Sequence, residues 1–291
     1  MQPLNPDKLS APDLGPTLDA GLYIVATPIG NLGDLSPRAS AILASVSLIA
    51  AEDSRVTAKL LRHIGVKKPM LAYHDHSDDA VRNGLVARAL REPVALVSDA
   101  GTPLISDPGF KLVRAARAAG VSIVTIPGPC AAVAALTLSG LPTDRFLFAG
   151  FLPSKAGARA TAIAELTAIK ATLVLYESGP RLSASLAALA TGLGNRNAAI
   201  AREISKRFEE TVVGTLSELS ARYADAAPRG EIVITIAPPG DAPPADAATL
   251  DAALRAAMAS DSVKTAVAMV TASLGLPRAQ VYARALALRD G

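Results

Sequence analysis

Cysteine, tryptophan and long hydrophobic runs are nearly absent from this sequence. It contains one cysteine, Cys130, no tryptophan, and only five phenylalanines and five tyrosines. A single cysteine excludes an intrachain disulfide and is typical of a reducing compartment, which predicts a cytoplasmic protein. The scarcity of aromatic rings argues against base stacking as the main source of any affinity for nucleic acid. No stretch approaches the roughly 20 apolar residues of a membrane span, so no membrane association is expected.

Two familiar motifs are missing as well. The sequence has neither the G-x-x-x-x-G-K-[ST] loop that cradles phosphates nor the G-x-S-x-G turn that carries a nucleophilic serine. Residues 30–33 form only a fragment of a dinucleotide fingerprint, although Glu52 and Asp53 follow about twenty residues later, where such a fold binds a ribose. A P-loop enzyme and a serine hydrolase are therefore not favoured.

The composition is that of a folded protein with about two domains, because the chain has 291 residues, of which 50% are hydrophobic. Lys and Arg number 29 against 26 Asp and Glu, so the net charge of +3 by itself indicates neither a nucleic acid nor a membrane partner. Residues 1–20 are polar and proline-rich, without the apolar segment of a signal peptide. We predict a disordered leader there.

The most informative stretch runs from residue 94 to residue 109. Its first four residues, Val-Ala-Leu-Val, are apolar without alternation, which predicts a parallel strand covered on both faces. The turn Ser98-Asp99-Ala100-Gly101-Thr102-Pro103 follows, and ligands of open α/β sheets bind beyond the carboxyl ends of strands. Asp107-Pro108 then has the pattern of an N-cap with a proline at the first helical position. We predict a binding turn followed by a helix that begins at residue 108.

Strand and helix patterns divide the chain into four further parts. Residues 21–142 alternate five strands with helices, which predicts a parallel sheet with helices on its faces. Residues 143–237 predict a smaller, mixed α/β domain. Residues 238–249 are rich in proline and alanine and are expected to form a linker, and residues 250–291 are expected to form a small domain of three short helices.

Turns rich in proline and glycine also end two other strands of the first domain. They are Pro28-Ile29-Gly30 and Pro127-Gly128-Pro129, and with residues 98–103 they are expected to line one edge of the sheet. Cys130 follows the last of these turns at a helix start. We expect it to be a small packing or main-chain-contact residue rather than a nucleophile.

Charged residues at other strand ends are candidates for chemistry. Glu52-Asp53-Ser54-Arg55 could orient a polar substrate or take a proton, although a capped helix start explains it nearly as well. His74 and His76 would point to the same side of an extended segment, but no third metal ligand is near, so no metal is predicted and polar substrate contact is preferred.

The second domain supplies candidates that could face the first across a cleft. Tyr176-Glu177-Ser178 and Arg202-Glu203 end two of its strands, although simple strand termination at the surface would look the same. Positive charge that phosphates could use comes from Lys155 and Arg159 and, beyond residue 262, from Lys264 and three arginines. A solvated helix face is the alternative reading of that last group.

Six motifs, taken in order, carry a resemblance. They are Thr27-Pro28-Ile29-Gly30-Asn31-Leu32, Ala51-Glu52-Asp53-Ser54-Arg55, His74-Asp75-His76, Ser98-Asp99-Ala100-Gly101-Thr102-Pro103, Ile126-Pro127-Gly128-Pro129-Cys130-Ala131 and Gly150-Phe151-Leu152-Pro153. Together they resemble the RsmI family of bacterial ribosomal RNA methyltransferases, within the tetrapyrrole-methylase superfamily. The resemblance extends over nearly everything after the leader. The family's first turn usually has a proline where this chain has Ala26, a change from which we expect little effect.

This resemblance implies a fold and an activity. The fold would be two α/β domains of tetrapyrrole-methylase type with a cleft between them, plus a small C-terminal helical domain. S-adenosylmethionine would bind in the cleft of a homodimer. The reaction would be 2'-O-methylation of a cytidine ribose in the decoding region of 16S rRNA, with that RNA or the small ribosomal subunit as partner.

The resemblance and the residue patterns together give a set of site residues. Cofactor contacts are expected at Pro28, Asp99, Gly101, Thr102, Cys130, Ala131, Tyr176, Ala201 and Ile232. The candidates for substrate orientation or proton removal are Glu52, Asp53, Glu177 and Arg202. Substrate contacts are expected at Arg55, His74, Lys155, Arg159 and Lys264.

Two other functions remain open at this point. One is C-methylation of a tetrapyrrole, against which the Glu52-Asp53-Ser54-Arg55 motif and the three C-terminal helices argue. The other is a non-catalytic RNA-binding factor of the ribosome, which would leave the strand-end turns without a small-molecule role.

Overall fold

The computed structural model describes residues 18–224, 227–240, 247–274 and 276–290. Residues 1–17 of the predicted leader and residues 241–246 of the predicted linker lie outside this part of the chain. The chain separates into two compact units, Met1–Pro238 and Pro239–Gly291. No helix in the described residues is long and apolar enough to cross a membrane.

The first half of the larger unit is built on a parallel five-stranded sheet in the order β3-β2-β4-β1-β5. Its strands are β1 (Gly21–Val25), β2 (Leu48–Ala51), β3 (Met70–Ala72), β4 (Pro93–Val97) and β5 (Ile123–Ile126). Its helices are α1 (Pro37–Ser45), α2 (Ser54–His63), α3 (Asp79–Ala89), α4 (Phe110–Ala118) and α5 (Ala131–Leu138). The alternation predicted from the sequence is confirmed.

The central strand β4 shows why this sheet is covered on both sides. Val94 and Leu96 pack with α3 and α4, whereas Ala95 and Val97 pack with α1 and α2 on the opposite face. All four side chains are buried. A continuous apolar run is what a strand with two covered faces requires.

The second half of the larger unit contains a mixed sheet in the order β6-β7-β10-β8-β9, in which only β6 and β7 are parallel. The strands are β6 (Phe146–Phe151), β7 (Thr172–Ser178), β8 (Asn197–Arg202), β9 (Glu210–Thr215) and β10 (Glu231–Ile236). The helices are α6 (Ala156–Leu166), α7 (Gly179–Leu193) and α8 (Leu216–Arg222). These three helices cover one face of the sheet.

Helix α5 covers the other face of this second sheet. Its small residues Ala132 and Ala135 pack against Val174, Ala201 and Val233 of three different strands. Since α5 follows directly from the turn after β5, it connects the turns of the first sheet to the inner face of the second.

The smaller unit consists of three helices, α9 (Ala247–Met258), α10 (Val263–Leu274) and α11 (Arg278–Asp290), around an apolar core of its own. Arg284 of α11 makes two contacts of 2.6 Å with the carboxylate of Asp251 in α9. Two α/β sheets and a helical C-terminal unit confirm the predicted fold class.

One predicted helix start is wrong. Helix α4 begins at Phe110, with Gly109 as its N-cap and no side-chain cap hydrogen bond, instead of beginning at Pro108 with Asp107 as the cap. The Gly109 amide donates to the Asp75 carboxylate at 3.1 Å, so a residue distant in sequence satisfies this orphan donor. Asp107 is left free for another role.

Candidate active site

The three glycine- and proline-bearing turns of the first sheet are joined by hydrogen bonds. Thr27 and Gly101 exchange main-chain hydrogen bonds of 2.9 and 3.0 Å, although they lie on separate turns. The Thr102 hydroxyl donates to the Pro129 carbonyl at 2.9 Å, which attaches the third turn. The prediction that these turns meet at one edge is confirmed, because β4, β1 and β5 are neighbours in the sheet.

A cavity of about 300 Å³ lies between these turns and the second sheet. Its walls are formed by Ile29, Ala100, Gly101, Thr102, Ile105, Ser106, Asp107, Cys130, Ala131, Phe151, Tyr176, Glu177, Ser178, Ile204, Gly230, Glu231, Ile232 and Val233. Most of these residues are apolar, and the three charged ones, Asp107, Glu177 and Glu231, are acidic. A mainly apolar cavity with a few polar groups is typical of a small-molecule site.

The backbone conformation and the surroundings of position 101 both favour glycine. Its φ of +82° is a backbone conformation that residues with a Cβ rarely adopt. A Cβ there would also lie 3.3 Å from the Ile29 side chain and 3.6 Å from the Pro129 carbonyl oxygen. The glycine thereby lets the main chain form the cavity wall directly.

Strained backbone flanks the cavity on both sides. Leu104 and Ser106 have φ values of 75° and 63°, and on the opposite wall Glu203 and Ser205 have values of 52° and 66°. Each pair encloses an isoleucine of the cavity wall, Ile105 or Ile204. Non-glycine residues in this region cost of order 1–3 kcal/mol each, and such strain clusters at ligand sites.

Tyr176 fastens the second sheet to the third turn. Its hydroxyl oxygen accepts a hydrogen bond of 3.1 Å from the Ala132 amide at the start of α5. Its ring packs edge-on against Phe148 and Phe151, at centroid distances of 4.8 and 5.6 Å. Burial, together with the nearby Cys130, raises the pKa of the Tyr176 hydroxyl, which keeps the group neutral.

Ion pairs hold the opposite wall. The Lys206 ammonium lies 2.9 Å from Glu203 and 2.8 Å from Glu231, and its aliphatic chain lies over Gly30. The neighbouring Ser205 hydroxyl donates to Asp34 in the loop after β1. This turn therefore contacts the first sheet's loops beside the cavity.

The acidic motif after β2 is mainly a cap and a connection between strands. Asp53 is the N-cap of α2 and lies 2.6 Å from Arg55, whose hydrogen bonds lower the pKa of Asp53 to about 2. The Asp99 amide donates to Glu52 at 3.2 Å, and the Asp99 carboxylate accepts from the Asp53 amide at 2.9 Å. The capped helix start, the alternative reading of this motif, matches these contacts.

Asp107 was not among the predicted site residues, yet its side chain is half-buried in the cavity wall. Desolvation by burial raises the pKa of this carboxyl to about 6, with smaller contributions from the charges of Glu52 and Asp99 and an opposing hydrogen bond from Ser98. The signal in the sequence was Ser-Asp-Pro-Gly, which is equally typical of a helix cap.

Six of the nine predicted cofactor residues line the cavity: Gly101, Thr102, Cys130, Ala131, Tyr176 and Ile232. Pro28 and Asp99 lie next to residues that line it. Ala201 is buried against α5. Its neighbour Ile200 faces the opposite side of the sheet and packs in the outer core, the apolar core between this sheet and α6, α7 and α8. The side chain of Ile232 packs on the opposite face of the sheet, so only its main chain is suited to contact a ligand.

Two of the four predicted catalytic residues point away from the turns of the first sheet. Glu177 follows Leu173 and Leu175 on the outer face of β7, and Arg202 follows Ile200 on the outer face of β8. The Glu177 carboxylate is 1% exposed, lies 3.2 Å from Arg181 and accepts a hydrogen bond from the Ser185 hydroxyl at 2.5 Å. Arg202 pairs with Glu210 at 3.0 Å. These contacts are structural, because strand alternation turns both side chains toward the helices.

The predicted substrate contacts lie at separate places. Arg55 and His74 are exposed near the carboxyl ends of β2 and β3. Lys155 precedes α6, and Arg159 lies on α6 beside a groove with α7, where its Nε is buried without a hydrogen-bond partner among the described residues. Lys264 is exposed on α10 of the smaller unit. Within the described residues, no group of three or more His, Cys, Asp or Glu is arranged to hold a metal ion.

Comparison with known families agrees with this architecture. Residues 21–220 match the family model described as Tetrapyrrole (Corrin/Porphyrin) Methylases, and residues 244–289 match the RsmI C-terminal HTH domain. Among solved structures, diphthine synthase superposes with a TM-score of 0.58 at 16% identity, over 74% of this chain and 89% of that one. Uroporphyrin-III C-methyl transferase from Thermus thermophilus, complexed with S-adenyl homocysteine, gives a TM-score of 0.51 at 19% identity, over 74% and 96% of the two chains. At these identities the likeness concerns the fold alone.

Sequence relatives are much nearer. Ribosomal RNA small subunit methyltransferase I of Erythrobacter litoralis is 50% identical over 94% of this chain and 96% of its own length. The protein of the same name from Synechocystis sp. is 44% identical over 93% and 99% of the two lengths, and that from Xylella fastidiosa (strain Temecula1) is 51% identical over 74% and 80%. The chain belongs to the family of ribosomal RNA small subunit methyltransferase I, a branch of the tetrapyrrole methylases.

Proposed function

We propose that this protein transfers a methyl group from S-adenosylmethionine to the ribose 2'-oxygen of a cytidine in the decoding region of 16S rRNA. The cavity between the three turns and the second sheet is the observation that carries the proposal. It has an apolar wall that would suit an adenosine, exposed main chain for hydrogen bonds, and the half-buried carboxyl of Asp107, which would favour a positively charged ligand. When bound, S-adenosylmethionine supplies a methyl group on a sulfur that leaves readily.

The protein's own contribution is to position the reacting atoms. The main-chain hydrogen bonds between Thr27 and Gly101 and the bond from the Thr102 hydroxyl to the Pro129 carbonyl fix the turns before any ligand binds. Tyr176 fixes the α5 end of the cavity in the same way. Holding two reactants in line can contribute about 7–11 kcal/mol to lowering a barrier, so a preformed cavity is the feature this reaction needs most.

The helices of the smaller unit are proposed to bind the RNA backbone. Lys264 and Arg278 are exposed on α10 and α11 of a unit that matches a helix-turn-helix family model. Contacts of lysine and arginine with phosphates provide affinity that falls as salt concentration rises. The Arg55 side chain, which is 87% exposed, is proposed to add a similar contact with the RNA.

We further propose that the protein acts as a cytoplasmic homodimer on the small ribosomal subunit. Large apolar side chains that are exposed in the single chain suit a second copy, among them Phe110, Phe208 and Val213. Sedimentation equilibrium would show twice the mass of one chain, and a single-chain mass at all concentrations would contradict this part of the proposal.

The activity is tested with small ribosomal subunits from cells that lack this protein. Purified protein with S-adenosylmethionine should add one ribose methyl group, which mass mapping of 16S rRNA should place on a cytidine of the decoding region. Methylation of a base, or of no nucleotide, would refute the proposal. Titration calorimetry with S-adenosylhomocysteine checks the cavity separately: Asp99→Ala should abolish binding, whereas the surface variant Asp79→Ala should bind normally.

RNA capture is tested with the double variant Lys264→Ala and Arg278→Ala. It should raise KM for subunits and flatten the dependence of KM on salt, while the affinity for S-adenosylhomocysteine stays unchanged. Lys170→Ala, which removes one exposed positive charge from the larger unit, is the control for loss of charge outside the smaller unit. An unchanged KM in the double variant would exclude these two side chains from RNA binding.

A further inference from the structure

The Asp107 side chain combines three features that no other acid of the larger unit combines among the described residues. It lines the cavity, it is half-buried, and it belongs to a loop held in strained backbone. Leu104 and Ser106 both have positive φ within the four residues that end at Asp107. A strained loop persists only when its surroundings hold it, and here it holds a carboxylate in the wall of a ligand cavity.

Neighbouring contacts fix this loop from two sides. The Asp75 carboxylate accepts from the Gly109 amide at 3.1 Å, and the Lys111 ammonium donates to the Asp75 carbonyl at 2.8 Å. On the other side, Gly150 leaves room for the Ser106 hydroxyl, since a Cβ at residue 150 would lie 3.3 Å from it. Contacts from Asp75 and Lys111 on one side, and the close approach of Gly150 to Ser106 on the other, therefore fix the loop that carries Asp107.

We propose that the Asp107 carboxylate accepts the proton of the ribose hydroxyl during methyl transfer, an inference that rests on the function proposed above. The bond from the ribose oxygen to the methyl carbon forms while the carbon–sulfur bond breaks. The electron pair of the broken bond stays on sulfur, which becomes a neutral thioether, and the hydroxyl proton passes to a carboxylate oxygen. Charge and atoms balance without another reactant.

The other acids near the cavity are less suited to this step. Asp53 pairs with Arg55, and its pKa of about 2 makes it a weak proton acceptor. Glu177 is occupied by Arg181 and Ser185 on the outer face of the sheet. An efficient base has a pKa near the working pH, and the pKa of Asp107, raised to about 6 mainly by burial, is closer to it.

The groups that face Asp107 come from several elements. They are Glu52 after β2, Ser98 and Asp99 after β4, Tyr176 on β7, and Cys130 beside Tyr176. Farther along the wall, Glu231 is paired with Lys206. The charges of Glu52 and Asp99 raise the pKa of Asp107, so removing either charge should lower that pKa.

The test compares Asp107→Asn with wild type and with the exposed control Asp79→Asn, all as full chains. With small ribosomal subunits as substrate, kcat of Asp107→Asn should fall by about 100-fold or more, the contribution typical of a general base. Calorimetry with S-adenosylhomocysteine should give a dissociation constant within about threefold of wild type, which corresponds to well under the 1.4 kcal/mol of a tenfold change. Asp79→Asn should match wild type in both measurements.

A pH profile separates a base from a residue that only shapes the loop. Because the ionised form accepts the proton, wild-type kcat should fall about tenfold per pH unit below its midpoint near pH 6. Asp107→Asn should lose this acid limb. Glu52→Gln should keep the limb but move it to lower pH, since one like charge is gone.

Three results would overturn the proposal. The first is a kcat of Asp107→Asn close to that of wild type. The second is a loss of S-adenosylhomocysteine affinity in Asp107→Asn as large as its loss of kcat. The third is a pH profile in which Asp107→Asn and Glu52→Gln both keep the acid limb of wild type. The second result would make Asp107 a cofactor ligand. Failure of the proposed function is a different observation, because the wild-type protein itself would then leave the ribose unmethylated.

Discussion

The two walls of the cavity are stabilised by different interactions. On the first sheet, neutral hydrogen bonds between Thr27, Gly101, Thr102 and Pro129 join three turns whose shape depends on glycine and proline. On the second sheet, ion pairs hold the strand ends, with Glu177 beside Arg181 and two carboxylates, Glu203 and Glu231, beside Lys206. Main-chain hydrogen bonds are insensitive to pH and salt, whereas ion pairs respond to both. The second wall is therefore the one through which solution conditions should act on the site.

The largest effect is expected from Glu177→Ala. The substitution leaves Arg181 without its buried partner and deprives the Ser178 amide and Ser185 hydroxyl of their acceptor. Removing one member of a buried pair costs about 3–5 kcal/mol, and we expect the lower end because Arg181 is 33% exposed. Chemical denaturation measures the loss. Glu177→Gln, which keeps the acceptor oxygen, should lose less.

The same variant also tests the role predicted from the sequence. If Glu177 removed the substrate proton, the folded fraction of Glu177→Ala would lose methyl transfer. We expect that fraction to keep a kcat near that of wild type, because the carboxylate points toward α7. A kcat lowered more than 100-fold in folded protein would restore Glu177 as a catalytic residue.

The junction between the two walls is tested by Gly30→Ala. A Cβ at this position would lie 2.3 Å from the Lys206 side chain, and the φ of +153° is strained for alanine. We expect a loss of about 2 kcal/mol of stability, within the range for such backbone positions, together with weaker S-adenosylhomocysteine binding. Gly65→Ala is the control for strain alone, because no atom lies within 4 Å of a Cβ there. Equal losses in the two variants would show that Lys206 does not pack on Gly30.

The first wall is tested by Thr102→Val, which keeps the shape of the side chain and removes the hydrogen bond to Pro129. Such a bond contributes about 1 kcal/mol net, so thermal unfolding should show a loss of that size. Thr102→Ser retains the hydroxyl and should recover most of it. Since no charge is involved, the difference between the two variants should be the same at low and high salt. A stability difference between the two variants that changes strongly with salt would show that the first wall responds to salt as the second wall does.

The smallest effect is expected from Lys206→Gln. The hydrogen bond from Lys206 lowers the pKa of Glu203 below its usual range. A carboxyl with a lowered pKa stabilises the fold above its unfolded pKa, and that contribution is lost as the pH falls through its folded pKa. Wild type should therefore lose more stability than Lys206→Gln between pH 6 and pH 3, by roughly 0.5–1 kcal/mol for a partly exposed pair. Parallel pH curves would contradict this.

Much of the first wall could be predicted from the sequence, and little of the second. The turns at residues 27–30, 98–103 and 127–130 were predicted together because parallel strands end at the same edge of a sheet. Glu177 and Arg202 were predicted as catalytic candidates because they also end strands. Unlike the turns, both side chains face away from the cavity, because alternation along β7 and β8 places them on the face of the sheet covered by α6, α7 and α8.

Asp107 shows how a local pattern can be ambiguous. An aspartate before a proline has the pattern of a helix cap, and the sequence contains no sign that Asp75, more than thirty residues earlier, accepts the hydrogen bond at the start of α4. The close approach of Lys206 to Gly30 is equally invisible in the sequence. The first contact joins two loops of the first half of the larger unit, and the second joins residues that meet only after its two halves have packed.

The sequence by itself determined the order of strands and helices, the glycine and proline turns and the family, because each of these depends on neighbouring residues or on motifs read in order. The tertiary structure decided which acids face the cavity, which are neutralised by a basic partner and which are buried enough to change their pKa. The physical reason is that burial and charge pairing are set by atoms brought together from distant parts of the chain.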